Sequence, residues 1–159
     1  MNYLTKANFY LKTFGFFKIP LIFYVNPKIV SLNDEEIRVA IDLNRRTRNH
    51  YGSMYFGALA VGADISIGLF AMHLAKAKDQ DVLLLFKDFS MQFHTRAEGN
   101  TIFVCQDYKK INEQIASVKR VNRRVNESVS GWAFVPSISE EPVCTFKLTL
   151  SLKQKEKKL

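Results

Sequence analysis

From Met54 to Ala75 the chain runs for 22 residues with only two ionisable side chains, Asp64 and His73. Apolar residues occupy nearly every face at helical spacing, so a helix over about 54–77 has no side to offer to water. Two environments accept such a helix: a lipid bilayer, or a jacket of protein. Its length permits a span. Against a span stand an Asp near the middle, costly in hydrocarbon, and three glycines that weaken a lone helix. The flanking segments also read as soluble strands. The helix is expected to be enclosed by protein, with no transmembrane span.

The jacket is legible on both sides of it. Ile37, Val39, Ile41 and Leu43 alternate with Glu36, Arg38, Asp42 and Asn44, the period of a half-buried strand over 36–44. A short strand over 29–32 precedes it, joined by an Asn33-Asp34 turn. Beyond the helix, 82–94 begins as a solid apolar run and becomes an alternation, with Phe89, Met91 and Phe93 on one side. Glu98-Gly99-Asn100 reads as a hairpin turn, after which 101–108 returns antiparallel. Strands over 129–135 and 143–153 follow, separated by a loop over 136–142. The last carries Cys144, Phe146, Leu148, Leu150 and Leu152 in alternation. Two lesser helices are expected: one over 3–17, with apolar residues at 4, 7, 10, 11 and 14, and a short amphipathic one marked by Ile111, Ile115, Val118 and Val121. Five or six antiparallel strands around one apolar helix make an α+β domain with a strongly curved sheet.

With 159 residues there is room for one domain and a sizeable core. The organisation expected is an N-terminal helical extension over 1–27, the main domain over 28–153, and a basic tail over 154–159. Thirteen Phe and six Tyr suit a strand-rich fold or an apolar pocket. A net charge of +8 calls for an anionic partner or surface: nucleic acid, acidic headgroups or a phosphate-bearing ligand. Six basic residues face one acid between Lys109 and Arg124, without the interleaved aromatics of a nucleic-acid surface, so no nucleic acid is expected. Cys105 and Cys144 lie far apart in strand-like runs, with no neighbour at metal-ligand spacing. They read as buried apolar side chains, compatible with a cytoplasmic location, with no metal and no resident cofactor.

The residues that carry chemistry cluster where the long helix begins: Asn49-His50-Tyr51-Gly52-Ser53-Met54-Tyr55-Phe56-Gly57-Ala58, with Asp64 two turns on. Ser53 is placed to cap the helix. This stretch resembles the hotdog-fold thioesterase superfamily, in the branch that includes phenylacetyl-CoA and medium-chain acyl-CoA thioesterases. That branch carries Asn, Gly three residues on, then His-Gly-Gly, then an acid nine residues after the His. Asn49, Gly52 and Asp64 fall on those positions, and Gly57 on the last Gly. Tyr55 stands in place of the His and Phe56 in place of the first Gly. The wording Arg48-Asn49-His50 followed by Phe56-Gly57-Ala58 is similar to an uncharacterised bacterial subfamily of the superfamily, and the resemblance covers about residues 28–152.

The resemblance implies the hotdog fold, a long central helix wrapped by a curved antiparallel sheet. It implies an acyl-CoA thioesterase acting at a dimer-interface site. A non-catalytic acyl-CoA or lipid-binding module is the alternative that Tyr55 and Phe56 favour. The substrate would be an acyl-CoA or acyl-carrier thioester, the coenzyme A being part of the substrate. The bare chemistry agrees. Hydrolysis needs a base or nucleophile at the carbonyl carbon and donors for the oxyanion. A helix start supplies free N–H groups and a positive dipole end. Phe56 and Gly57 are therefore the expected oxyanion donors, Asp64 the base or nucleophile, and Asn49 the group that orients carbonyl or water, with Gly52 and Tyr55 lining the substrate site. Tyr55 and Asp64 are roughly 13 Å apart along one helix at 1.5 Å per residue. One thioester cannot touch both in one chain. A homodimer is the smallest expected assembly, with a tetramer left open.

Overall fold

The computed structural model describes residues 3–121 and 123–155. The order along the chain is α1 (Tyr3–Phe17), α2 (Pro20–Val25), β1 (Lys28–Leu32), β2 (Ile37–Ile41), α3 (Phe56–Ala77), β3 (Val82–Phe93), β4 (Thr101–Cys105), α4 (Tyr108–Val121), β5 (Val125–Val135) and β6 (Ser139–Gln154). The tail expected over 154–159 lies largely outside the described residues. The six strands form one antiparallel sheet in the order β1-β2-β4-β5-β6-β3, and α3 is the central helix of the hotdog fold expected for it.

Helix α3 is long and apolar enough to cross a membrane, but two thirds of its most apolar stretch is buried in the protein's own core. Ala63, Ile67, Phe70 and Ala71 are fully enclosed. They meet Val39 and Ile41 of β2, Phe103 of β4 and Val129 and Ala133 of β5 in one continuous apolar core. The close approach of α3 to β4 requires Gly62, where a Cβ would run into the buried ring of Phe103.

The hairpin expected between 82–94 and 101–108 does not form. β3 pairs instead with β6 along ten residue pairs and stands at the edge of the sheet, whereas β4 sits between β2 and β5. Length accounts for the choice. β3 spans twelve residues and finds a partner of sixteen in β6, while the return segment stays in strand for five before α4 begins at Tyr108. The loop expected over 136–142 is likewise short, because Ser139 already pairs with Val135.

α4 covers the part of β5 that β4 leaves open. Gln114 is buried and its amide N–H groups reach Val125 O at 2.9 Å and Leu150 O at 2.7 Å. At the other end of the sheet, Asn8 of α1 acts as a one-residue strand: its amide donates to Ile29 O and accepts from Ile29 N, both at 2.8 Å. That bond pair ties the N-terminal helices to the outer edge of β1.

Candidate active site

The approach to α3 is stapled together by short-range bonds. Thr47 is wholly buried; its hydroxyl donates to Asp42 O at 2.6 Å and accepts from Asn44 N at 3.0 Å. Its own carbonyl accepts from Tyr55 N at 2.8 Å, and Met54 N donates to Ala97 O at 2.8 Å, which fixes where the helix starts. Between these ties the chain makes a tight loop. Asn49 N donates to Ser53 O at 2.7 Å, and Gly52 adopts φ +84°, a conformation that favours glycine.

Asn49 is the organiser of that loop. Its side-chain oxygen accepts from the N–H groups of Tyr51 (2.9 Å) and Ser53 (3.2 Å), and its amide nitrogen donates to Ser53 Oγ at 3.0 Å. One amide hydrogen is left over for anything else. Ser53 is thereby engaged with Asn49 and does not cap α3, contrary to expectation. The N-cap is Tyr55, which offers no side-chain bond.

The helix start is consequently open. Ala58 and Leu59 donate to Tyr55 O, whereas the N–H groups of Phe56 and Gly57 meet no acceptor among the described residues. Such unpaired donors at the positive end of a 22-residue helix can receive an anion or a developing oxyanion. The rings of Tyr55 and Phe56 frame them, 4.8 Å apart and about half exposed. Tyr55 folds back over Gly57, where a Cβ would lie 2.6 Å from its ring.

Asp64 sits two turns further on, half-buried, with no hydrogen bond or ion pair among the described residues. Burial pushes its carboxyl above the ordinary carboxylate range. Gly68, one turn later, leaves space beside it: a Cβ there would stand 3.7 Å from Phe86 and 3.9 Å from Asp64 Oδ1. Asp64 therefore looks toward β3, the unpaired edge of the sheet.

A β-bulge shapes that edge. Phe86 pairs with Leu150 and Phe89 with Leu148, so Lys87-Asp88 inserts one extra residue and Asp88 accepts a bond from Thr149 Oγ1 at 2.8 Å. Three residues apart, Phe86 and Phe89 would point to opposite faces of a plain strand. The bulge puts them on the same face, in line with Met91 and Phe93. Phe89 and Phe93 remain about half exposed there. The alternation of these apolar residues is visible in the sequence, but nothing in it signalled that Phe86 lies beside the space next to Asp64.

Asn49, Gly52, Tyr55, Phe56 and Gly57 are thus gathered at the start of α3, and Asp64 lies about two helical turns beyond the last of them. Arg96 joins the first group unannounced, its guanidinium 5.5 Å from the ring of Tyr51. An open hollow of about 780 Å³ lies elsewhere, against β3, β5, β6 and the start of α4, and includes none of these residues. Its lining carries Trp132, Lys147 and Asp107, but no unpaired buried group.

Residues 8–127 match the family model described as Domain of unknown function (DUF4442). No curated protein matches the sequence. Among solved structures, a protein of unknown function from Chlorobaculum tepidum superposes with a TM-score of 0.81 at 12% identity, covering 96% of this chain and 97% of that one. A Pseudomonas aeruginosa protein, named as a probable thioesterase, gives 0.77 at 18% identity over 98% and 99%. A Haemophilus influenzae thioesterase gives 0.68 at 10% identity over 97% and 92%. At these identities the likeness is one of fold.

Proposed function

The chain belongs to the DUF4442 family and has the hotdog fold, and from that premise we propose that it hydrolyses acyl thioesters, with acyl-CoA as the expected substrate. The observation that carries this reading is Asp64: a carboxylate without a partner, half-buried beside apolar β3 side chains, is expensive to keep unless it reacts. The names of several structural relatives as thioesterases support it.

The site is completed by a second copy. The outer edge of the twelve-residue β3 has no strand beside it, and with Phe89 and Phe93 exposed it invites another strand. Pairing two β3 edges brings Asp64 of one chain toward the helix start of the other. Asp64 then takes a proton from a water that attacks the thioester carbon, or attacks that carbon itself to give an acyl–aspartyl anhydride that water then cleaves. The N–H groups of Phe56 and Gly57 from the second copy hold the oxyanion, the C–S bond breaks, and the thiolate leaves to be protonated. Phe86, Phe89, Met91 and Phe93 accommodate the acyl chain. Arg45, Arg46, Arg48 and the basic face of α4 meet the coenzyme A phosphates, in a cytoplasmic enzyme.

The alternative, an acyl-CoA-binding module without turnover, is favoured by one feature: the ring of Tyr55 lies over Gly57, crowding the oxyanion donors. Thiol release from acyl-CoAs ranging from acetyl to palmitoyl, together with phenylacetyl-CoA, separates the two. Turnover that Asp64→Asn removes from a folded dimer supports the hydrolase. Saturable binding with no thiol release from any substrate supports the binding module and sinks the hydrolase.

A further inference from the structure

The N-terminal helices leave a surface that the thioester site does not use. α1 buries Leu11 and Gly15 against its neighbours and turns Phe9, Tyr10, Phe16 and Phe17 outward. α2 adds Leu21 and Tyr24. Phe17 is 75% exposed, Phe9 64%, Leu21 59% and Phe16 57%, so these are protruding rings and not the edge of a core. A soluble surface rarely exposes so many large apolar side chains side by side without a partner.

The shape of this surface is held rigidly. Gly15 crosses α2 so closely that a Cβ would lie 2.8 Å from Phe23 N. Phe16 packs edge-on against Phe17 and Phe23, at 4.9 and 5.2 Å. The corner between the helices, Phe17-Lys18-Ile19-Pro20-Leu21, is exposed at every residue.

The two helices carry Lys6, Lys12 and Lys18 and no acid, while Lys28 is already paired with Asp42 at 2.6 Å. Arg46 reaches over from the loop before α3, its guanidinium 5.8 Å from the Tyr24 ring. Aromatic and aliphatic side chains ringed by cations are what an anionic bilayer surface recognises: the rings enter the headgroup region while the ammonium groups pair with phosphates. A second copy of the chain fits this face less well, because two-fold pairing brings two surfaces of the same positive charge together.

Location keeps the surface free. α1 is bonded to β1 through Asn8, and β1 and β3 are the opposite edges of a six-stranded sheet, five strand spacings or roughly 24 Å apart measured along the sheet. An assembly through β3 does not cover it.

We propose that the α1–α2 corner docks this protein on anionic phospholipid bilayers, with Phe17 and Leu21 inserted among the headgroups and Lys12 and Lys18 held by lipid phosphates. The test is cosedimentation of the full chain with vesicles of phosphatidylcholine plus phosphatidylglycerol, against vesicles of phosphatidylcholine alone. Binding to the anionic vesicles that weakens with added salt is expected. Lys12→Gln with Lys18→Gln lowers the partition coefficient roughly fivefold per lysine. Phe17→Ser with Leu21→Ser, both at exposed positions, abolishes binding while circular dichroism and hydrolysis of a soluble acyl-CoA stay unchanged. Equal binding to both vesicle types, or none to either, overturns the proposal. So does a loss of oligomer mass in the Phe17/Leu21 variant without vesicle binding by the wild type, which would make this face an interface between copies.

Discussion

Two glycines six residues apart on α3 provide a direct test of how this helix is packed. Replacing a helical Gly by Ala removes backbone freedom from the unfolded chain and stabilises by about 0.5–1 kcal/mol where the new methyl fits. At Gly68 it fits: the nearest atoms, in the Phe86 ring and Asp64, stand 3.7–3.9 Å from the added Cβ, ordinary contact distances. Gly68→Ala is expected to gain the full increment, a rise in Tm of roughly 2–4 °C for a chain of this size. At Gly62 the same methyl strikes the ring of Phe103, which is 0% exposed and cannot swing aside. Overpacking of a core costs about 1–3 kcal/mol, so Gly62→Ala should lose about 1–2 kcal/mol net. Urea unfolding with a common m-value measures both, and the variants should differ by roughly 2–3 kcal/mol. Gly68→Ala also narrows the space beside Asp64, so its added stability should come with slower thioester turnover. A destabilised Gly68→Ala, or a Gly62→Ala as stable as the wild type, would refute the placement of α3 against the sheet.

Asp64→Asn should lower turnover by about 10²–10⁴-fold, the usual worth of a general base, and yet stabilise the fold at neutral pH. The sign follows from the raised carboxyl pKa. Stability from the neutral acid is complete below the unfolded-state pKa of about 3.9 and is lost as pH rises through the higher folded value. The variant's advantage should therefore vanish on acidification, and an advantage that grew as pH fell would contradict the assignment. Burial pushes the Cys105 thiol up to about 12 and Cys144 to about 11. An aromatic disulfide reagent at mildly alkaline pH should leave both unmodified until denaturant is added, and rapid labelling of the native protein would show that these strands open.

How much of this could be read from the sequence depended on whether the deciding interaction was local. The apolar character of 54–75 kept that helix out of water, and Asp64 with three glycines favoured a jacket of protein over lipid. The 36–44 alternation marked β2, though its paired core is Ile37–Ile41. Asn49, Gly52, Phe56 and Gly57 gather at one helix start because a few residues of chain connect them, and a tight loop has few ways to close. Partner choice was a different matter. β3 and β4 are joined by a turn-like Glu98-Gly99-Asn100, but β6 is sixteen residues long against five in β4, and it pairs with β3 along ten residues. The role of Ser53 was lost for the same kind of reason: its hydroxyl had two uses, and Asn49 claimed it. Nor could the pattern of 82–93 reveal that a bulge at Lys87-Asp88 turns Phe89 and Met91 to the face shared with Phe86. A period-two reading assumes an uninterrupted pleat, and only the register against β6 shows where the pleat slips. Local chemistry was therefore written in neighbouring residues, while the edge on which Asp64 looks out was decided by contacts between segments far apart in the chain.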